Sequence, residues 1–250
     1  MNKHTRRVVL VIQARMGSVR LPGKTMMPLA GKPLLYRMVE RLRRCQTLDC
    51  LVVATSDLPS DDIIAEFAAQ EGIDLFRGSE TDLVDRYYRA AVEFGADVVL
   101  RIPADNPTPE PAEVDRIVQY HLASDNAFSS NLAEVFGNGY PDGIGAEVME
   151  MWALKKIWET AAEPDQREHA HLNFYNYDKG EAVSPDTFKV GTVPCPVEFR
   201  RPDIVLDVNT ADQYRFLDDL YRSLYPKNSN FHITDIIAWY DKRLMTKKST

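Results

Sequence analysis

The sequence predicts an α/β protein in which helices cover both faces of a mostly parallel sheet. Apolar, β-branched runs of strand length alternate with helix patterns about every 25 residues through the first half of the chain. A β-α-β order of this kind gives parallel strands joined by right-handed crossovers. Because ligands of such sheets bind beyond the carboxyl ends of the strands, the residues that follow each strand are the first candidates for a site.

The first strand and the loop after it carry the most informative residues. The run from Val8 to Ile12 is continuous and β-branched, which is typical of a strand buried on both faces. The loop contains two glycines and three cations: Gly17, Gly23, Arg15, Arg20 and Lys24. Glycine lets backbone N–H groups approach phosphate oxygens and fixed cations neutralise phosphate charge, so the loop is predicted to bind phosphate.

The rest of the first half continues the alternation. Apolar runs predict strands at 51–55, 74–77, 97–102 and 127–131, and helical spacing predicts helices at 33–44, 59–70, 83–95 and 110–123. The first of these helices carries four arginines that we interpret as a solvated face: Arg37, Arg41, Arg43 and Arg44.

The regular alternation stops after Asn131. Strands are predicted at 145–149, 188–193 and 204–206, and helices at 152–161, 165–177, 210–225 and 234–243. The break in pattern predicts that the second half has a different task from the first, namely to receive a second substrate.

Composition limits the classes of partner. The net charge of −7 argues against nucleic-acid binding, while residues 1–44 hold eleven Lys and Arg against one acid, Glu40, which indicates a local anion site. No apolar run approaches the roughly 18 residues of a membrane span. The three cysteines, Cys45, Cys50 and Cys195, form no paired or metal-binding spacing. We therefore expect a cytoplasmic protein with neither a nucleic acid nor a membrane as partner.

The phosphate-binding loop matches neither common motif. Five residues separate Gly17 from Gly23 where the Walker A motif has four, and there is no G-x-G-x-x-G. The stretch IQARMGSVRLPGK, residues 12–24, instead resembles the signature of the cytidylyltransferases that activate acidic sugars, such as the CMP-Kdo and CMP-sialate synthetases. It is most similar to their spore-coat-polysaccharide-type branch.

The resemblance implies the α/β/α nucleotide-diphospho-sugar transferase fold, which is GT-A-like. It also implies a smaller antiparallel insertion that receives the acceptor and forms a homodimer. We therefore predict a single cytidylyltransferase domain over 1–250, with a nucleotide-binding part at about 7–131 and 204–225 and an acceptor part at about 132–203.

CTP is the nucleotide that the resemblance implies. Arg15 and Lys24 would contact the triphosphate and take part in catalysis, and Arg20 would neutralise the departing pyrophosphate. Residues 76–87 match the family pattern F-R-G-S-x-x-D-x-x-D-R-Y, although Asp82 could instead cap a helix. The implied nucleotide-binding residues are Ala14, Arg15, Gly17, Ser18, Arg20, Lys24, Ser56, Arg77 and Ser79.

A divalent cation, either Mg²⁺ or Mn²⁺, is implied at two distant acidic positions. Asp105 follows the fourth strand and is also expected to act in catalysis. Asp207 lies in the stretch LDVNT, in which Asn209 takes the place of an aspartate that relatives share. Either Asp207 holds the metal with help from Asn209, which we favour, or the second contact is weakened. Alternatively, Asp207 or Asn209 only caps the helix at Thr210.

The acceptor side is implied by motifs of the same branch. Arg167 and His169 would bind the carboxylate of an acidic sugar, and Asp142 and Glu147 would accept hydrogen bonds from its hydroxyl groups. The favoured activity is transfer of CMP to this acceptor with release of pyrophosphate, for the synthesis of surface polysaccharide or glycoconjugate. A glycosyl- or polyol-phosphate transferase of the same fold, and a catalytically silent nucleotide-binding homologue, are the alternatives.

Overall fold

The computed structural model describes residues 5–132 and 135–248. The eleven strands within these ranges are β1 (Val8–Gln13), β2 (Pro28–Leu29), β3 (Lys32–Pro33), β4 (Cys50–Ser56), β5 (Asp74–Gly78), β6 (Val98–Pro103), β7 (Phe128–Ser130), β8 (Glu147–Glu150), β9 (Tyr175–Asn176), β10 (Glu181–Ala182) and β11 (Val190–Gly191). The eight α-helices there are α1 (Leu34–Leu42), α2 (Asp62–Gln70), α3 (Leu83–Glu93), α4 (Pro111–Leu122), α5 (Met151–Thr160), α6 (Pro164–Glu168), α7 (Ala211–Leu224) and α8 (Ile233–Lys248).

Seven strands form one sheet in the order β11-β7-β8-β6-β1-β4-β5. β1 lies inside it and pairs in parallel with β4 and β6, while β8 runs antiparallel to both of its neighbours. The predicted mostly parallel sheet is therefore confirmed. Since β1, β4 and β6 end at the same edge, the residues after Gln13, Ser56 and Pro103 are brought together there.

Alternate residues of β1 enter different cores, as the two-residue period of a strand requires. Val8, Leu10 and Ile12 pack with α1, α2 and α4, whereas Val9 and Val11 pack with α3 and α5. Helices on both faces of the sheet confirm the predicted three-layer α/β/α fold. None of the helices in the described part of the chain has the combination of length and hydrophobicity that a membrane span requires.

The second half differs from its prediction in three places. The helix predicted at 165–177 is wrong beyond Glu168, where a 3-10 turn at Ala170–Asn173 leads into β9. β9 and β10 form an antiparallel pair, and the strand predicted at 188–193 shrinks to β11. Residues 204–206 do not join the sheet: Val205 makes only an isolated bridge with Asp142. Apolar pattern alone does not distinguish a strand from a buried loop here, because Ile204 and Leu206 are buried in both cases.

A third apolar core explains this difference. Ile204, Leu206 and Val208 pack with α7 and α8 against Leu29, Leu34, Tyr140 and Ile144. These contacts place α7 beside the carboxyl edge of the sheet. They also bring residues 205–209 next to the loop that follows β6.

The interpretation of Arg37 and Arg41 as solvated side chains is wrong. Both are buried, because residues between α7 and α8 cover them: the Tyr225 ring lies over Arg37 and the Phe231 ring over Arg41. Arg41 donates from Nε to the Pro109 carbonyl at 2.8 Å and from Nη1 to the Phe231 carbonyl at 3.1 Å. Its Nη2 lies 3.4 Å from the buried Glu110 carboxylate. This ion pair joins parts of the chain that are distant in sequence.

We expect Glu110→Ala to lower the free energy of unfolding by about 3–5 kcal/mol, because it leaves the Arg41 charge buried without its carboxylate. The Ile233 N–H, which donates to Glu110 at 2.9 Å, would lose its acceptor as well. Urea unfolding followed by circular dichroism measures the change. Glu66→Ala, at an exposed position on α2, is the matched control and should stay within about 0.5 kcal/mol of the original chain. An equal loss in both variants would contradict the role assigned to the pair.

Candidate active site

A cavity of about 740 Å³ opens at the carboxyl edge of the sheet. The loop after β1 forms one wall, the loop after β6 and residues 207–209 form the floor, and residues 142–177 form the opposite wall. The residues that the sequence singled out and that line this cavity are Arg15, Ser18, Arg20, Lys24, Asp105, Asp142, Glu147, His169, Asp207 and Asn209.

The loop after β1 is anchored by Asp61, which sequence reasoning did not select. Asp61 is buried at the end of a 3-10 turn, and its Oδ1 accepts the Met16 N–H at 2.8 Å. Its Oδ2 accepts from the Ser56 hydroxyl at 2.6 Å and from the Thr55 hydroxyl at 2.9 Å. Burial acts to raise the pKa of Asp61, but these hydrogen bonds to the ionised form outweigh it and the pKa lies below its ordinary value. The available signal was an acid shortly after a strand that ends in two hydroxyl residues.

Lys24 reaches across the floor to residues on two other segments. Its Nζ donates to Asp105 Oδ2 at 2.8 Å, to the Val208 carbonyl at 2.6 Å and to Asn209 Oδ1 at 3.2 Å. The backbone connects the same two segments, since the Val208 N–H donates to the Asp105 carbonyl at 2.9 Å. The floor is therefore held together both by its backbone and by one lysine.

Asp207 and Asn209 lie in this cluster and do not cap α7. Thr210 is the N-cap, and Gln213 completes a capping box with it, so the capping alternative for Asp207 and Asn209 is wrong. Gln213 also donates from Nε2 to Asp207 Oδ1 at 3.0 Å, while the Asn209 amide donates to Asp207 Oδ2. Burial, and then the negative charge of Asp105, raise the pKa of Asp207.

These residues fit a divalent cation. Two carboxylates and an amide oxygen are hard oxygen donors of the kind that Mg²⁺ and Mn²⁺ bind. Asp105 is close enough to affect the Asp207 pKa, and the Lys24 ammonium already lies among three oxygens. No group of three or more His, Cys, Asp or Glu suited to a metal occurs in the described part of the chain, so the donor set depends on Asn209.

The two arginines of the loop are held by different partners. Arg20 donates from Nη2 to Asn209 Oδ1 at 2.6 Å, on the floor of the cavity. Arg15 lies between the Glu80 carbonyl, 3.5 Å from Nη1, and the Glu168 carboxylate, 3.4 Å from Nη2. Both guanidinium groups therefore line the space in which the Lys24 ammonium is also found.

The opposite wall contains a buried ion pair. Arg101, on β6, donates to Glu147, on β8, and the Tyr177 hydroxyl donates to Glu147 at 2.9 Å. Burial acts to raise the pKa of Glu147, but Arg101 outweighs this and lowers it. Desolvation lowers the pKa of the nearby His171 to about 4, so its imidazole is neutral at pH 7. Arg101, Tyr177 and His171 line the cavity but were missed, because only the tertiary structure brings them together.

Asp142 lies on the opposite wall of the cavity because its backbone packs closely against residues 204–206. Its N–H donates to the Ile204 carbonyl at 3.0 Å, and its carbonyl accepts the Leu206 N–H at 3.1 Å. The next residue, Gly143, has φ +84°, and a Cβ there would lie 3.0 Å from the Leu206 carbonyl carbon. Glycine is therefore required for the Asp142 segment to lie against residues 204–206.

Several candidate residues lie outside this cavity. Ser56 is buried and donates to Asp61, while Arg77 donates to the Ser56 carbonyl at 2.9 Å and to Asp62 at 2.7 Å. Arg167 donates from Nε to Asp82 at 3.0 Å, and Asp82 also caps α3. The candidates that do not line the cavity are Ala14, Gly17, Ser56, Arg77, Ser79 and Arg167. Their assignment to substrate stays a prediction.

Comparison with known proteins supplies independent information. The family model described as cytidylyltransferase matches residues 9–190. The spore coat polysaccharide biosynthesis protein SpsF of Bacillus subtilis is 33% identical over 222 residues, covering 86% of each chain. The 3-deoxy-manno-octulosonate cytidylyltransferase of Anaeromyxobacter dehalogenans is 34% identical over 115 residues, covering 45% of this chain and 46% of that protein.

A solved structure agrees over nearly the whole chain. The cytidylyltransferase of Leptospira borgpetersenii serovar Hardjo-bovis is 28% identical and superposes with a TM-score of 0.84, covering 96% of each chain. At this coverage, the two halves of the chain that meet at the cavity floor belong to one shared fold.

We expect Asp61→Asn to lower the free energy of unfolding by about 2–4 kcal/mol at pH 7, because hydrogen bonds to an ionised carboxylate are lost or weakened. The folded-state pKa of Asp61 lies below the ordinary value of 3.8, so its stabilisation is complete above that pH and is lost as the pH falls through the folded-state pKa. The difference in free energy of unfolding between the original chain and Asp61→Asn should therefore become smaller below about pH 4. Urea unfolding at several pH values measures it.

Asp62→Asn is the control for this prediction. Asp62 is exposed and its carboxylate forms a surface ion pair with Arg77. Its loss should cost less than about 1 kcal/mol. The ionised state assigned to Asp61 would be contradicted if the difference in free energy of unfolding between the original chain and Asp61→Asn became larger as the pH falls.

Proposed function

The chain belongs to the cytidylyltransferase family, and we propose that it transfers CMP from CTP to an oxygen of an acidic sugar or related acceptor, with release of pyrophosphate. The observation that carries this proposal is the meeting of Lys24, Asp105 and Asp207 on one cavity floor, beside the arginines of the loop after β1. The names of SpsF and of the 3-deoxy-manno-octulosonate enzyme support a role in surface polysaccharide or glycoconjugate synthesis.

The reaction requires negative charge to be neutralised as it moves. An acceptor oxygen forms a bond to the α-phosphorus, the bond from that phosphorus to the bridging oxygen breaks, and pyrophosphate departs while the acceptor proton passes to solvent. Arg15 and Lys24 are proposed to hold the triphosphate, and Arg20 to neutralise the departing pyrophosphate. Cations that are already in place around the triphosphate lower the barrier in two ways. They position the α-phosphate for attack, and they stabilise the negative charge that develops in the transition state.

The side chains on the cavity floor are also the basis for a proposed metal site. Mg²⁺, or Mn²⁺, is proposed to be held by the carboxylates of Asp105 and Asp207 and the amide oxygen of Asn209. When bound there it would neutralise charge on the phosphates of the nucleotide. Gln213 would keep the Asp207 carboxylate in position through its hydrogen bond.

The acceptor is proposed to lie against the wall opposite the loop. Asp142 and Glu147 would accept hydrogen bonds from its hydroxyls, and the exposed His169 would face its carboxylate. Arg167, the second cation predicted for that carboxylate, is bonded to Asp82, so it would have to exchange partners before it could contribute. His169 is therefore the better first test of the acceptor side.

We further propose that the protein acts as a cytoplasmic homodimer joined through residues 132–203. The free thiols of Cys45, Cys50 and Cys195 are consistent with a reducing compartment. The predicted acceptor segment also exposes large apolar side chains: Phe136, Trp152, Val183 and Val197.

We expect pyrophosphate release to require CTP, a divalent cation and an acidic sugar, with UTP, ATP and GTP much less active. With CTP, the divalent cation and the acidic sugar all present, Asp105→Asn should lower kcat at least about 100-fold with little change in the Kd for CTP. The loss of one group that stabilises transition-state charge typically lowers kcat by about this factor. A coupled pyrophosphate assay and calorimetry measure the two quantities. Turnover of a sugar nucleotide without pyrophosphate would favour the glycosyltransferase alternative, and CTP binding without any turnover would favour the silent homologue.

We expect His169→Asn to raise the KM for the acidic sugar about tenfold, since an imidazole that hydrogen-bonds a carboxylate contributes on the order of 1.4 kcal/mol. The Kd for CTP should be unchanged. Steady-state kinetics with CTP at saturation measure the first value. His232→Asn, exposed just before α8 and outside the cavity lining, is the control. A weaker affinity for CTP in His169→Asn would place this residue on the nucleotide side instead.

A further inference from the structure

The Lys24 ammonium lies among three oxygens that belong to two distant segments. Asp105 Oδ2 is 2.8 Å away, the Val208 carbonyl 2.6 Å and Asn209 Oδ1 3.2 Å. The side chain is largely buried, at 12% exposure. We refer to these three oxygens as the cation position.

The cation position has the chemistry of a metal site as well as of an ammonium site. A carboxylate, a backbone carbonyl and an amide carbonyl are the groups that coordinate hard divalent cations. They also satisfy the three N–H donors of an ammonium, which is what they do here. Asp105 and Asn209 are also two of the three proposed metal ligands. Lys24 and a divalent cation therefore compete for the same two oxygens, and one excludes the other.

The surrounding hydrogen bonds favour a cation in that space. The Asn209 amide donates to Asp207, so its oxygen faces Lys24 and the Arg20 guanidinium, which lies 2.6 Å away. Gln213 holds Asp207 through a further hydrogen bond of 3.0 Å. The amide is thus oriented by its neighbours with its oxygen toward the positive charge.

We propose that Lys24 acts as an internal counter-ion that occupies the cation position until the nucleotide arrives. This inference rests on the proposed function, in which Lys24 binds the triphosphate. Phosphate oxygens give the ammonium stronger acceptors than the Val208 carbonyl and Asn209, and the four-carbon side chain of lysine allows the change of partner. Once Lys24 has moved to the phosphates, Asp105 and Asn209 would be free to hold a divalent cation together with Asp207, and that cation would supply neutralising charge beside the nucleotide.

The proposal predicts weak metal binding to the nucleotide-free protein and tighter binding once Lys24 is removed. A ligand whose site is available for only a fraction of the time binds with an affinity reduced by that fraction. If Lys24 occupies the position at least about nine-tenths of the time, Lys24→Met should bind Mn²⁺ at least about tenfold more tightly than the original chain. Electron paramagnetic resonance of Mn²⁺, titrated without nucleotide, measures this directly.

Three further variants make the result specific. Arg20→Met removes a charge that contacts only one of the three oxygens of the cation position, Asn209 Oδ1. Because Lys24 still occupies the position in this variant, Mn²⁺ affinity should rise less than about threefold. Lys24→Arg keeps the charge and should bind Mn²⁺ as weakly as the original chain. Adding Asp105→Asn to Lys24→Met should abolish the gain. Thermal unfolding checks each protein, and Lys24→Gln replaces Lys24→Met if the latter does not fold.

The outcomes separate the inference from the proposed function. Equal Mn²⁺ affinity in the original chain and in Lys24→Met, or an equal gain in Arg20→Met, would overturn the inference, because occupancy by Lys24 would then not limit the metal. Loss of Mn²⁺ binding in Lys24→Met would overturn it as well. The proposed function is tested by CTP binding and turnover in the original chain, and its failure leaves these nucleotide-free titrations unaffected.

Discussion

The contact between Lys24 and Asp105 is the interaction on which the rest of the site depends. It joins the loop after β1 to the loop after β6, and the Val208 carbonyl adds the segment before α7. Three segments that are far apart in sequence therefore meet around one positive charge. Burial, and then the negative charge of Asp105, raise the pKa of Asp207, so a cation on this floor stabilises the ionised form of its carboxylate. The structure supplies one from its own chain.

The same rule of charge compensation recurs in the scaffold around the site. Arg41 with Glu110 and Arg101 with Glu147 are buried pairs, each made by residues from different parts of the fold. Asp61 is compensated differently, by hydroxyl and backbone donors. Such groups are costly to bury without their partners, so each fixes the relative position of the segments that it joins. Asp61 fixes the loop after β1 and Glu147 fixes the opposite wall of the cavity, so the stability of the fold and the geometry of the cavity have the same physical origin.

Membership of the cytidylyltransferase family gives this arrangement a chemical meaning. Nucleotidyl transfer needs cations around a triphosphate, carboxylates for a divalent ion and a polar wall for the acceptor. The cavity has cations in the loop, carboxylates on the floor and polar side chains on the opposite wall, which are the kinds of group that the proposed reaction requires. Asn209 reduces the negative charge of the floor, and Gln213 and Lys24 bind the remaining carboxylates. With fewer negative charges on the floor, the positive charges of Lys24 and Arg20 stabilise the ionised form of Asp207, as the proposed role of Lys24 requires.

Local patterns in the sequence determined the layers of the fold and the position of the glycine- and cation-rich loop after β1. The β-branched run at 8–12, the helical spacing after each strand and the glycines and cations of residues 15–24 carry this information within a few residues of each other. Asp105 and Asp207 were also identified from short motifs. Only the tertiary structure decided which charges are buried. Arg37 and Arg41 have the sequence pattern of a solvated helix face, yet aromatic rings of the segment between α7 and α8 cover them. Arg167 pairs with Asp82 outside the cavity. Arg101 and His171 acquired their surroundings from distant parts of the chain, and Asp61 binds the distant Met16 N–H, through contacts that a local pattern does not record. The physical reason is that hydrophobic periodicity is set by the nearest neighbours along the chain, whereas the burial and pairing of a charge depend on whichever segment packs against it.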